Sequence, residues 1–415
     1  MKEFALRLAV LLLRGLAALT GLCVKKRDGI VLISCQSDEP SQDMLDLAAA
    51  IGARPGSPSV YVLAGRMRRS FGGAVRFFGR LNKMLRAIAG AAVVVIDAYC
   101  PAVSIPKKRS GQKVVQIWHA PEAIKKFSRQ VLDTPAGYES GTAGILCMHR
   151  NYDYILCPSD ATRPFFEEAF GYPESAFVKL GQPSLDRIGR MKRRAETPEK
   201  ESEERGAARE TIFKEYPELV PKEGKRALIV VYAPTFRDGA AVDAAGLVRA
   251  LAQAKAGESF SDLWSGVALV LKPHPHDSVR PNAARQGNVQ EMIADRSIAL
   301  IDWYAVADVI VTDYSGVAVD AAVSGVASYY YIYDINEYKA KRGINVDLRD
   351  EAVGEYAYTD ADELAARVFC DFEKGSPAYD YEALDSFARK YLELPLSGNT
   401  ERLAAFISDL SEKTH

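Results

Sequence analysis

Short apolar runs alternate with amphipathic stretches along most of the chain, and the period of each run sets the element it predicts. Residues 30–34 (IVLIS), 59–65 (SVYVLAG), 92–98 (AVVVIDA), 113–119 (KVVQIWH), 153–159 (DYILCPS) and 176–181 (AFVKLG) read as buried strands. Helices fit between them over 43–51, 74–89 and 161–171, the last ending in a glycine. The alternation restarts with strands over 227–233, 267–273, 297–302, 308–313 and 327–333, and with helices over 242–255, 284–295 and 316–324. Strands that are apolar throughout and separated by helices belong to a parallel sheet covered on both faces. Between the two series, residues 187–226 are dense in charge and nearly free of large apolar residues before Ile212, which marks a connector. The pattern predicts an α/β chain of two Rossmann-like domains: an N-terminal helix over 1–28, a domain over 29–186, the connector over 187–226, a second domain over 227–390 and a C-terminal helix over 391–415. In such sheets ligands bind at the carboxyl ends of the strands, so a cleft between two domains is the expected place for a site.

Residues 4–24 are the most apolar stretch. The Leu22-Cys23-Val24-Lys25 sequence is a poor cleavage site, and Arg7 and Arg14 would each cost a few kcal/mol inside a bilayer. At about 100° per residue, Glu3, Arg7, Arg14 and Lys25 fall on one narrow strip and the rest of the cylinder is apolar. Two readings fit: a helix lying in the membrane interface with its arginines reaching headgroups, and a core helix docked on its own domain. The first predicts peripheral attachment to the inner face of a membrane. The helix over 74–89 places Arg76, Arg80, Lys83 and Arg86 along one side. That side is either a solvated face or a surface for anionic lipid or an anionic polymeric acceptor. Nucleic acid is not an expected partner, because no recognition motif accompanies the patch and the formal net charge is only -1. The six cysteines form no CxxC pair and no regular spacing, which argues against a zinc site or a disulfide framework and suits a reducing compartment. No cofactor or metal is expected from the pattern, and the sequence shows no heptad repeat that would set an oligomeric state.

Polar groups fall at the ends of several predicted strands. His119 ends KVVQIWH, His274 ends VALVLKPH between two prolines, Asp313 ends DVIVTD, and Thr235 follows ALIVVYAP. Histidines at strand ends suit general acid/base work near neutral pH. The turn Thr312-Asp313-Tyr314-Ser315-Gly316 opens a helix whose first N–H groups carry partial positive charge. Ser315 serves there either as an N-cap or, with Gly316, as part of a phosphate site. Lys272 and His274, arriving from a neighbouring strand, favour a diphosphate.

These residues resemble a known family, the CDP-glycerol glycerophosphotransferases, which include teichoic acid primases and polymerases. The matching stretches are QIWHAP at 116–121, HRNYDYILCPS at 149–159, FGYPESAFVKLGQPSLD at 170–186, YAPTFRD at 232–238, LKPHPHD at 271–277 and the long block beginning VTDYSG at 311. The resemblance implies a GT-B-like fold at the cytoplasmic membrane face. It implies transfer of glycerol phosphate, or a related polyol phosphate, from CDP-glycerol or another CDP-polyol to a hydroxyl of a lipid-linked or polymeric envelope acceptor, with release of CMP. By the same resemblance His119 is the candidate general base and His274 meets the donor phosphates. Asp313 and Ser315 hold the pyrophosphate, Asp320 holds the ribose, and Thr235 and Arg237 face the donor. Arg7, Arg14, Arg76, Arg80 and Lys83 are the candidate membrane and acceptor contacts. The chain departs from the family pattern at Ala120-Pro121, Lys272, Gly316 and Ser184, changes that bear first on the acceptor. Two other readings share the cleft: a GT-B glycosyltransferase using a nucleotide sugar, and a weakly active scaffold in envelope assembly.

Overall fold

The computed structural model describes residues 2–24, 28–36, 38–65, 71–121, 123–192, 202–222, 224–235, 237, 242–254, 260, 264–273, 285–286, 289–295, 297–373 and 378–413. They form two units. One comprises residues 1–186 together with 393–415, the other residues 187–392.

The first unit is built on a sheet of β1 (Gly29–Ser34), β2 (Val60–Ala64), β3 (Ala91–Ile96), β4 (Lys113–Gln116), β5 (Tyr154–Leu156) and β6 (Phe177–Val178), in the order β2-β1-β3-β4-β5-β6 and parallel throughout. Every residue of β1 and β3 is buried, which their unbroken apolar runs require. Alternation within the strands sorts them onto two cores. Val31, Ile33, Val94 and Ile96 face α3 (Phe71–Gly90) through Leu81, Met84 and Leu85. Ile30, Leu32, Val93 and Val95 face α2 (Gln42–Gly52) and, with it, the C-terminal helix Asn399–Glu412 through Leu403 and Ile407.

That last helix is clasped by one carboxylate. Asp186 Oδ1 accepts the backbone N–H and the side-chain amide of Asn399, both at 2.9 Å. Its Oδ2 accepts the Thr400 N–H at 2.8 Å and the Thr400 hydroxyl at 2.7 Å. Four donors at a helix N-terminus are thereby satisfied by the end of the GQPSLD stretch. Gly181 of the same stretch lies so close that a Cβ there would meet Asn399 Oδ1 at 2.5 Å.

α1 (Lys2–Cys23) docks on the first unit by one face only. Val10 and Thr20 are buried, and Leu13 and Ala17 pack against the core. The outer face carries Phe4, Leu8, Leu11, Leu12, Leu16, Leu19 and Leu22, the last 81% exposed. Arg7 pairs with Glu3 at 2.7 Å on the surface. Arg14 is turned toward the body of the unit, where its Nε donates to the Ile105 carbonyl at 3.2 Å. Arg80 is likewise engaged, pairing with Asp38, while Lys83 is exposed. The side chain of Arg76 lies outside the described residues.

The second unit has the order β13-β12-β11-β7-β8-β10-β9. Its strands are β7 (Arg226–Tyr232), β8 (Trp264–Leu271), β9 (Arg285–Gln286), β10 (Val289–Ile293), β11 (Val309–Thr312), β12 (Ala327–Tyr331) and β13 (Ala357–Tyr358). All pairings are parallel except that of β9 with β10. Two expectations fail here. Residues 284–295 contain β10 and not a helix: Val289 and Met292, spaced three apart, mimic a helical stripe, but the segment pairs along β8 and its polar residues fit a lightly covered strand near the sheet edge. Residues 297–302 are not a strand. Asp302 reaches back to accept the Ala299 N–H at 3.1 Å and starts the helix Leu300–Trp303, which buries Trp303. Within 187–226, the helix Glu203–Glu215 buries Ile212 in the same core as Trp303. The helices Ala361–Phe372 and Tyr381–Tyr391 also belong to this unit.

Asp186→Ala leaves its four donors without a partner, and we expect a loss of about 2–4 kcal/mol, read as a lower thermal midpoint. Burial works against the Asp186 charge, but the Thr400 and Asn399 donors outweigh it and hold the carboxyl below the ordinary aspartate value. A depressed folded-state pKa contributes stability that is present above the unfolded value and lost as pH falls through the folded one. Wild type should therefore lose stability relative to Asp186→Asn on acidification below about pH 4, and a constant difference between the two would exclude this role.

Candidate active site

Two clusters of polar side chains stand at carboxyl ends of strands, one in each unit. In the first unit the strand order reverses direction between β1 and β3, where open α/β sheets place their ligands. Asp97, directly after β3, occupies that point and is only 2% exposed. It accepts the Ser34 hydroxyl at 2.6 Å, the Cys35 N–H at 3.0 Å and the Ser41 hydroxyl at 3.4 Å. Burial pushes its pKa up in spite of these donors.

His119 follows β4 on the neighbouring strand, beyond the last ladder residue. The turn that releases it is held by Gln116, whose Oε1 accepts the Trp118 N–H at 2.9 Å. Trp118 takes a left-handed φ of 55°, uncommon for a bulky residue, and its ring packs 4.3 Å from the imidazole. Phe127 and Phe170 hold the indole from other sides. The His119 Nδ1 lies 3.3 Å from the Asp97 carbonyl oxygen. A carbonyl only accepts, so in this contact the ring proton sits on Nδ1 and Nε2 keeps a lone pair. The imidazole has an open face to solvent. The protein packed around it nevertheless pushes its pKa down to about 4, against the opposing pull of the Asp97 carbonyl. The open face softens that push without reversing it, and the ring is neutral at neutral pH.

His149 shows the other fate of a histidine. It is buried at 3% exposure, contacts the Tyr152 hydroxyl at 3.1 Å, and has its pKa pushed down to about 3 by burial. It is a packed core residue. The stretch around it is strained for a purpose: Cys147, His149 and Asn151 all have positive φ, and the Asn151 amide caps the carbonyls of Val103 and Pro106.

In the second unit the reversal lies between β7 and β11. Thr235 follows β7 and Asp313 follows β11, and the two are joined. Asp313 is fully buried and accepts the Thr235 N–H at 2.9 Å and the Thr235 hydroxyl at 2.6 Å on Oδ1. Its Oδ2 accepts Arg237 Nη1 at 2.7 Å. The rest of the Arg237 fork closes on Asp334, Nε at 2.6 Å and Nη2 at 2.9 Å. Tyr314 donates its hydroxyl to Asp334 at 3.0 Å and stacks on Tyr338 with 4.0 Å between centroids. Burial disfavours charge on Arg237 and on Asp334, but their bidentate pairing overrides it: the guanidinium is raised and the carboxyl lowered.

Thr235, Arg237 and Asp313 thus come together, but as an internally satisfied network and not as groups open to a donor. Lys272 is engaged within the unit as well, its Nζ donating to the carbonyls of Asp295 and Ile298. The helix Val317–Ser324 starts at Gly316 without a side-chain cap on its N-cap residue, and the half-buried Ser315 hydroxyl accepts only a long 3.4 Å bond from the Val317 N–H. Asp320 is half-buried in its first turn. His274 lies outside the described residues. Sequence reasoning missed Asp97, Gln116 and Asp334. Asp97 carried the signal that singled out Asp313, a carboxylate at the end of an apolar strand, whereas Asp334 lies three residues past a strand and only its partner explains it.

The model of the CDP-glycerol:poly(glycerophosphate) glycerophosphotransferase family matches residues 17–409. The teichoic acid ribitol-phosphate primase of Bacillus spizizenii is 26% identical over 391 residues, spanning 94% of this chain and 93% of that protein. The teichoic acid glycerol-phosphate primase of Bacillus subtilis is 24% identical over 336 residues, 80% of this chain and 77% of that protein. Among solved structures, the wall teichoic acid polymerase TagF superposes with a TM-score of 0.69 at 18% identity, over 99% of this chain and 98% of that chain, a likeness of fold.

Arg237→Ala strands the buried Asp313 carboxylate and half of Asp334. We expect a loss of about 3–5 kcal/mol in urea unfolding of the whole chain. Arg237→Lys keeps a charge but not the fork and should fall between the two. A loss below about 1 kcal/mol for the alanine variant would show that the network is not the clamp described here.

Proposed function

The chain belongs to the CDP-glycerol:poly(glycerophosphate) glycerophosphotransferase family, and from that premise we propose that it transfers glycerol phosphate, or a related polyol phosphate such as ribitol phosphate, from a CDP-linked donor to a hydroxyl of a lipid-linked teichoic acid acceptor. The observation that carries the reading is His119: a neutral imidazole at a strand end, its Nδ1 proton held by the Asp97 carbonyl and its Nε2 lone pair available. In this reading the acceptor hydroxyl oxygen attacks the β-phosphorus of the donor while its proton passes to Nε2. The bond from that phosphorus to the bridging oxygen breaks, a phosphodiester forms, and CMP leaves with the bridging oxygen.

The positive end of the helix Val317–Ser324, with the half-buried Ser315 hydroxyl before it, is the anion site of this reading. Gly316 lets a phosphate approach the backbone closely, and Asp320 stands one turn along for the ribose. His274 is assigned to the donor phosphates on its motif alone. Thr235, Arg237 and Asp313 act by holding the Tyr314-Ser315-Gly316 turn in place. The exposed apolar face of α1 supports residence on the inner face of the cell membrane, where such an acceptor is anchored. Lys83, and Arg76 by its position on α3, supply the candidate basic contacts to the acceptor or headgroups.

The test is CMP release by the detergent-solubilised protein with CDP-glycerol and CDP-ribitol offered beside UDP-sugars and a membrane extract. CMP from a CDP-polyol is expected; UDP release would move the activity to sugar transfer. His119→Ala should lower the rate by about 10²–10⁴-fold. A general base works only when unprotonated, and the protein packed around His119 lowers its pKa below the ordinary histidine value, a push softened by the open face of the ring. kcat/KM should therefore hold through neutral pH and fall as pH drops toward 4. An acid limb centred at or above the ordinary histidine value would remove His119 from this role.

A further inference from the structure

A cavity of about 730 Å³ lies in the first unit, between α1, α3 and the segment around the helix Pro101–Ser104. His119 and Asp97 do not line it. Its walls have two characters. Ala17, Ala18, Leu85, Ile88, Ala89 and Ala102 make one side apolar. The other side carries Arg14, Lys107, Arg109 and Arg150, and among the described residues no aspartate or glutamate lines the space. Arg150 donates to the carbonyls of Ser104 and Ile105, and Arg14 donates to that of Ile105 and to the Cys147 thiol. These bonds orient the guanidinium groups without neutralising them.

Four cations gathered on a partly enclosed space repel one another, and an anion entering it would relieve that repulsion. Inorganic phosphate or a nucleotide would satisfy the cations but leave the apolar half in contact with water. An amphiphile satisfies both halves. The volume suits a headgroup and the first part of a chain. The setting selects the source, because the helix that forms one wall, α1, turns its other face outward with seven large apolar side chains. A bilayer meeting that face would hold lipid beside the helix that walls the cavity.

We infer that this cavity binds the phosphate headgroup of one anionic membrane phospholipid, with Arg14, Lys107, Arg109 and Arg150 around the phosphate and an acyl chain along Ala17, Ala18 and Ile88. The inference rests on the membrane placement proposed above and adds a specific, stoichiometric lipid site to it. It also gives Arg14 and the Lys107-Lys108-Arg109 run a use that the transfer chemistry does not require. Lys108 itself is paired with Asp153 at 2.6 Å and stands apart from the site.

The test uses the full chain in nonionic detergent, with dioleoylphosphatidylglycerol as probe and native mass spectrometry as readout. One phosphatidylglycerol per chain should be retained, in preference to phosphatidylcholine. A Cβ at Gly21 meets nothing within 4 Å, so Gly21→Trp can grow into the cavity without a clash at its root, and it should abolish retention. The Arg14→Gln/Lys107→Gln pair keeps the shape, removes two charges, and should weaken binding by at least about tenfold. Equal retention of phosphatidylcholine, unchanged retention in both variants, or displacement of the lipid by millimolar inorganic phosphate would each overturn the inference. A Leu12→Glu/Leu19→Glu variant separates it from the membrane reading. This variant should stop floating with phosphatidylglycerol vesicles yet still retain one lipid in detergent; loss of lipid in detergent would mean that the outer face, and not the cavity, makes the contact.

Discussion

The second unit turns on one buried carboxylate. Asp313 has no access to water, and it sits where the strand order reverses. Burying a charge there is tolerable only because Thr235 and Arg237 meet both oxygens. Arg237 in turn needs Asp334, and Asp334 draws in Tyr314. Three segments of the chain, at 235–237, 313–314 and 334, are joined by this one requirement. The turn at Ser315-Gly316 follows directly from this network.

The first unit solves the equivalent problem with neutral donors. At its own reversal point Asp97 is met by two hydroxyls and a backbone N–H, with no cation, and its carboxyl is correspondingly harder to ionise. The part of Asp97 that reaches His119 is its carbonyl. The imidazole is therefore oriented by backbone, which fixes its tautomer. This combination keeps the imidazole neutral, whereas a carboxylate neighbour would have raised its pKa.

The strands were legible wherever an apolar run was bounded by turn residues, because burial on both faces leaves little alternative reading. Strand-end residues were legible for the same reason: His119, Thr235 and Asp313 fall where a run stops. Two segments were misread. In 284–295 the spacing of Val289 and Met292 suits a helix as well as a strand, and only pairing along β8 decides between them. In 297–302 the apolar run is real, but Asp302 caps it into a helical turn. The partners of Arg237, Lys272 and Arg14 were illegible for a different reason. Each side chain is long enough to face a ligand, a headgroup or its own fold, and residue type does not choose among them. The sequence does carry Asp334 and the Ile298 carbonyl, but no local pattern brings them near.

The clasp of Asp186 on Asn399 and Thr400 has a bearing on the order of events during synthesis. The second unit is, in chain terms, an insertion within the first. The face of Ile30, Leu32, Val93 and Val95 is translated early, yet the helix that covers part of it emerges from the ribosome only after some two hundred intervening residues, 187–392, have been made. Until then that sheet is a nascent surface with one layer missing. The inserted unit can fold as a continuous stretch while the first waits, so the helix after the insertion closes a sheet translated before it.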